Sequence, residues 1–185
     1  MSSFKDHKKN RKFYGTKDEV TRLEELEKKI ALDPNDVESR IEKGFLCLDV
    51  FELETQEGLK TVMEALEVEP DNVDILFWGG ALAYLGVGDC STAEGLLERA
   101  LKIAPDRADC LWWLADMTPS TSSNFEKIFS LYNQAVKLEP DWPIPRLRLI
   151  RMLIEAGRFD EAEEIAREGV KLFKDFELPE GASRM

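Results

Sequence analysis

The sequence predicts an all-α chain, an α-solenoid of antiparallel helix pairs. Four prolines, Pro34, Pro70, Pro105 and Pro140, recur at intervals of 36, 35 and 35 residues. Each sits in the same local frame: Leu32-Asp33-Pro34-Asn35, Val68-Glu69-Pro70-Asp71, Ile103-Ala104-Pro105-Asp106 and Leu138-Glu139-Pro140-Asp141. A period of that length marks one supersecondary unit repeated along the chain. Such a unit cannot bury its apolar face alone and must stack on its neighbours. Between the prolines, apolar residues fall on one helical face, and no stretch alternates apolar and polar residues as a half-buried strand does.

The elements follow in order. Residues 1–15 are basic and polar and lack apolar periodicity, so a flexible arm is expected. Thr16-Lys17-Asp18-Glu19 is a capping box, Thr followed three residues on by Glu, and opens a helix with the stripe Val20, Leu23, Leu26, Ile30. That helix ends near Asp33-Pro34. Four helix pairs follow, at 36–49 with 54–68, 73–86 with 91–103, 107–117 with 124–138, and 144–156 with 159–173. Ser91-Thr92-Ala93-Glu94 and Ser123-Asn124-Phe125-Glu126 read as further capping boxes, each starting the second helix of its pair. Gly86, Gly88 and Ala156-Gly157 mark tight turns inside two pairs, and Pro119 stops the first helix of the third. The repeat domain spans 16–174, and a tail occupies 175–185.

Composition narrows the function classes. Hydrophobic residues make up 43% of the 185, enough for a packed core. No apolar run approaches the roughly 18 residues a membrane span needs, and the N-terminus lacks the apolar segment of a secretory signal. Cys47, Cys90 and Cys110 have no paired short spacing, which argues against a disulfide framework or zinc site and for a reducing, cytoplasmic setting. The net charge is −12, while Lys5, Lys8, Lys9, Arg11 and Lys12 against Asp6 leave the arm basic. An acidic body repels nucleic acid and favours basic partners, although acidic excess also serves solubility in helical repeats.

The repeating units resemble the tetratricopeptide repeat, whose pattern is W-x2-L-G-x2-Y, then A-x3-F, then P. In the fourth pair Ala156-Gly157-Arg158-Phe159-Asp160-Glu161-Ala162 is similar to the family's turn, with Ala162 and Ala166 in its next two slots. The second pair supplies Leu76, Gly79, Gly80, Ala83, then Ala93, Leu97 and Pro105. The third supplies Leu111, Leu114, Ala115, Thr118, then Ile128, Tyr132 and Pro140. The first supplies Arg40, Lys43, Gly44, Cys47, then Gly58, Val62 and Pro70, and Arg40 and Lys43 depart from the pattern. In the fourth, Arg146, Leu149, Ile150 and Leu153 stand where the pattern has W, L, G and Y, and Ile150 departs from it. Gly44, Gly80 and Ala115, like Ala65, Ala100 and Ala135, are small where two helices approach closely. The resemblance implies a right-handed superhelix whose first helices line a concave groove.

Carried over by position, that groove presents Phe45 and Asp49, then Phe77, Trp78 and Tyr84, then Trp112, Trp113 and Asp116, then Leu147, Arg148 and Arg151. Large aromatics in a groove suit capture of a peptide or helix, or else they pack between repeats, and one of Trp112 and Trp113 must turn away from what buries the other. Arg148 and Arg151 could grip a carboxylate, or be solvated or pair with Glu155. Family members that clamp a terminal carboxylate use Lys and Asn where this chain has Ile41 and Phe45, so that activity is not expected.

No phosphate loop, H-E-x-x-H, G-x-S-x-G or C-x-x-C occurs, and His7 in the arm is the sole histidine, so neither catalysis, metal nor cofactor is expected. The basic arm without aromatic interleaving is a poor nucleic-acid reader. The last helix carries Ile165, Val170, Leu172 and Phe173 without a polar capping helix after it, which suggests a homodimer through that end or a tail folded back. The function expected is a non-enzymatic protein–protein interaction module, an adaptor or chaperone. The alternative is a small acidic inhibitor, of the immunity-protein type, covering a basic partner.

Overall fold

The computed structural model describes residues 17–50 and 55–172, with side chains at 21–47 and 56–172. The expected arm, tail, Thr16 cap and Asp49 side chain lie outside the described residues. The helices are α1 (Lys17–Leu32), α2 (Val37–Val50), α3 (Thr55–Val68), α4 (Val73–Leu82), α5 (Cys90–Ile103), α6 (Ala108–Met117), α7 (Phe125–Leu138), α8 (Pro143–Glu155) and α9 (Phe159–Leu172). No strand occurs among the described residues.

Caps explain where the helices begin. The Asp36 carboxylate accepts from the Ser39 N–H at 2.9 Å and opens α2. Asn72 accepts from the N–H groups of Asp74 and Ile75 at 3.0 and 3.2 Å and opens α4. Two expected capping boxes are replaced. Helix α5 starts earlier than Ser91: Asp89 accepts from the Thr92 N–H at 3.1 Å and its hydroxyl at 2.7 Å. A carboxylate taking two donors beside a helix N-terminus outcompetes a serine hydroxyl. Ahead of α7, Asn124 makes no side-chain cap; its amide donates to the Pro119 carbonyl at 3.0 Å, and Glu126 reaches Arg158 instead.

Turn geometry explains where they end. After α8, Gly157 adopts φ 73°, with Arg158 N–H donating to Leu153 O at 2.8 Å and Gly157 N–H to Ile154 O at 3.0 Å. This is a Schellman closure, which requires a left-handed residue. Helix α4 differs from expectation: it widens into a π-helical turn at Ala83–Val87 before Gly88, also at φ 73°.

The chain divides into two compact units, up to Leu96 and from Leu97 onward. In the first, α1 packs on α2, the α2–α3 hairpin packs on α4, and the core is Leu26, Cys47, Val62, Ala65, Ile75, Leu76, Phe77 and Leu82. Gly44 and Gly58 let α2 and α3 close up: a Cβ at Gly44 would collide with Val62 Cγ2, and one at Gly58 would lie 2.8 Å from Cys47 Cβ. In the second unit, α6 pairs with α7 and α8 with α9, and α7 packs on α8. Its core gathers Ala115, Ile128, Tyr132, Val136, Leu149, Met152, Leu153 and Ala162, beside a smaller cluster of Ala108, Leu111, Ala135 and Trp142.

The two arginines in the tryptophan slot of the repeat pattern are buried. Arg40 donates from Nε to the Pro34 carbonyl at 3.0 Å and pairs with Glu64. Arg146 donates to the Ile165 carbonyl at 3.2 Å and lies 3.5 Å from Glu168, while its stem crosses Gly169, where a Cβ would be 2.7 Å from Arg146 Cδ. A long aliphatic stem with a charged tip fills the slot that an aromatic ring would otherwise occupy.

Candidate functional site

In the first unit the expected groove residues of α2 and α4 meet as an aromatic step. Phe77 and Trp78 stand edge to face, ring centroids 4.9 Å apart, and Trp78 meets Phe45 at 5.0 Å. The helical register decides their fates. Phe77 is buried at 1% exposure, so this residue, expected in the groove, is core. Phe45 and Trp78 are half-buried above it. Gly79 keeps the helix close to α5, since a Cβ there would lie 3.1 Å from Leu96 Cδ1. Tyr84, half-buried, falls in the π-helical turn rather than in regular helix.

In the second unit, three indoles assemble. Trp112 and Trp113 lie 4.5 Å apart, and Trp112 meets Trp142 edge to face at 5.4 Å. Trp113, expected in the groove, is buried at 9% exposure. Trp112 is half-buried against both apolar clusters, and its Nε1–H is buried without an acceptor. Trp142 was missed from the sequence. Its signal was its register, two residues after Pro140, where the other units carry Asp36, Asn72 and Arg107. At the N-cap of α8 it makes no cap hydrogen bond and uses its ring to pack instead.

Asp116 and Arg148, expected on neighbouring first helices, are joined: Arg148 Nε lies 3.1 Å from Asp116 Oδ1. The same oxygen accepts from the Tyr132 hydroxyl at 3.2 Å. Burial, then the Asp116 charge, pushes the Tyr132 phenol well above the usual tyrosine range. Arg148 is therefore held by the protein's own carboxylate. Arg151 is largely exposed and lies 3.6 Å from Glu155, the pairing weighed from sequence. Leu147 is 63% exposed, with Ile144 and Ile154 also exposed on the same helix. This site therefore consists of a half-buried tryptophan, an exposed apolar strip and a carboxylate–guanidinium pair. Among the described residues no group of His, Cys, Asp or Glu is placed to hold a metal.

Helical hairpins repeated at 35–36 residues make this an α-helical repeat protein. No protein-family model and no curated protein matches the chain. Solved structures do. MamA superposes with a TM-score of 0.71 at 16% identity, covering 94% of this chain and 96% of that one. MamA 41-end from Desulfovibrio magneticus RS-1 gives 0.71 at 19% identity, covering 86% and 88%. YrrB, described as a TPR protein with an unusual peptide-binding site, gives 0.62 at 14% identity, covering 85% and 81%. The fold is that of the tetratricopeptide repeat proteins.

Proposed function

We propose that the chain is a non-enzymatic protein-binding module, an adaptor or chaperone that takes an extended or helical segment of a partner on the faces of its first helices. The observation that carries this reading is the aromatic step of the first unit. A fully buried Phe77 fixes Trp78 from below, and Trp78 with Phe45 keeps part of its surface in water. An aromatic ring anchored on one side and open on the other binds at little entropic cost, because its rotamer is already chosen. The TPR fold and the peptide-binding site named for YrrB are consistent with it. In the second unit, Trp112, Leu147 and Arg148 with Asp116 would offer the same combination of apolar anchor and orienting charge. Cys47, Cys90 and Cys110, two of them buried, form no disulfide, which suits a reducing cytoplasmic setting.

The test is selection from a displayed random-peptide library on the full chain. Selected peptides should lose affinity at least tenfold on Trp78→Ala while far-UV circular dichroism is retained. Unchanged affinity in Trp78→Ala, Phe45→Ala and Trp112→Ala alike would refute the site. The net charge of −12 supports a second reading, an inhibitor covering a basic partner. Association that slows steeply with salt would favour it, since screening removes charge steering but leaves aromatic contacts intact. A homodimer through α9, where Phe159, Val170 and Leu172 are exposed, is part of the same proposal and is tested by light scattering.

A further inference from the structure

Helix α1 is held to its unit by few buried side chains. Among its described side chains only Leu26 is buried; Leu23 and Ile30 are half-buried, and Leu32 is 88% exposed. Helix α4, by contrast, buries seven residues. Charge also crosses from α1 to α2. Arg22 donates from Nε and Nη2 to the two carboxylate oxygens of Glu42 at 2.7 and 2.8 Å, and Lys43 Nζ lies 3.2 Å from Glu27. These groups are part-exposed, Arg22 at 37% and Glu42 at 42%. Beside them the surface is indented. An open, mostly polar cleft of about 240 Å³ lies between the helices, bounded by Glu27, Ile30 and Ala31 of α1, Arg40 and Lys43 of α2, and Glu57, Thr61 and Glu64 of α3.

We infer that α1 is an ionic strap, which opens separately from the rest of its unit and whose hold is set by ionic strength. Apolar contact is insensitive to salt, whereas exposed ion pairs weaken as the screening length falls from about 10 Å at 0.1 M to about 3 Å at 1 M. A helix with Leu26 as the one buried apolar anchor among its described side chains, and an open cleft beside it, belongs at the low-stability end of the fold. Its release would uncover the wall of α2 and α3 that carries Arg40, Lys43 and Thr61, and would leave Gly44, Val62 and Ala65 packed as they are.

Hydrogen-exchange mass spectrometry on the full chain tests this. Between about 0.1 M and 1 M sodium chloride, amides of α1 should exchange about tenfold faster, as expected for losing a fork and a second pair, while those of α4 hold steady. Glu42→Gln keeps the shape and removes the fork; it should speed α1 exchange at low salt and erase most of the salt response. Arg167→Gln breaks the α9 pair with Glu163 and should leave α1 as in the wild type. The inference is overturned if α1 is protected as strongly as α4 at both salt concentrations, or if Glu42→Gln leaves it unchanged. It is equally overturned if α1 and α4 lose protection together, because the strap would then have no separate opening.

Discussion

Gly44→Ala should destabilise the protein, although the same change in an open helix would stabilise it by about 1 kcal/mol. The sign is decided by what the new methyl meets. It would collide with Val62 Cγ2, lie 3.1 Å from Leu82 Cδ1 and lie 3.3 Å from the Gly58 carbonyl oxygen. Val62 is β-branched and fully buried, so its χ1 cannot turn away, and the carbonyl belongs to backbone. Forcing a methyl into such a place costs about 1–3 kcal/mol. With a collision this close the cost lies in the upper part of that range, about 2–3 kcal/mol, so a net loss of about 1–2 kcal/mol follows, or a fall in Tm of roughly 2–8 °C for a chain of this size. Because Gly44 precedes Phe45, α2 would also lift the phenyl ring from Trp78 and reduce the near-ultraviolet circular dichroism of the aromatic step. The assay is urea unfolding followed by far-ultraviolet circular dichroism, on Gly44→Ala, Val62→Ala and the double variant. The double variant should be no less stable than Val62→Ala by itself, because the colliding methyl is gone. A Gly44→Ala protein as stable as the wild type, or losses that simply add, would refute close approach of the two helices at this point.

Three further outcomes are expected. Asn72→Ala removes the acceptor of two N–H groups at the start of α4 and should cost about 1 kcal/mol in the same urea assay. Trp112→Phe keeps most of the ring contact and deletes a buried donor without an acceptor; it should be neutral or stabilising by up to about 1 kcal/mol, and a loss above that would mean that Nε1–H has a partner in solution. The Ser39 hydroxyl and N–H hold the Asp36 carboxyl below the usual aspartate range. Its contribution is complete above the unfolded pKa and is lost as pH falls through the lower folded value, so urea midpoints measured from about pH 5 to about pH 3 should fall more steeply in the wild type than in Asp36→Asn.

Much of the architecture was legible because it depends on local chemistry. Every helix limit among the described residues lies within one residue of its expected position, apart from the π-helical end of α4. A proline frame and a left-handed glycine act on their immediate neighbours, so the 36- and 35-residue intervals suffice to place them. The capping boxes at Ser91 and Ser123 failed because caps are competitive: Asp89 takes both donors of Thr92, and the Ser123 hydroxyl bonds that of Thr121 while Glu126 pairs with Arg158. The candidate site was legible only in part. Phe77 and Trp78 are adjacent in sequence, yet one is sealed and the other half-open. Trp112 and Trp113 divide in the same way, and no local rule says which ring of such a pair turns inward.

What the sequence determined on its own is the succession of helices, the positions where small residues let them touch, and the all-α repeat class. Those follow from periodicity and backbone preference, which act over a few residues. What only the tertiary structure decided is which polar groups are used up inside the protein. Arg40 on Glu64, Arg148 and Tyr132 on Asp116, and Arg22 forked onto Glu42 are all pairings between distant residues. A side chain's partner there is set by where two helices cross, and that depends on the packing of the whole hairpin rather than on the residues beside it.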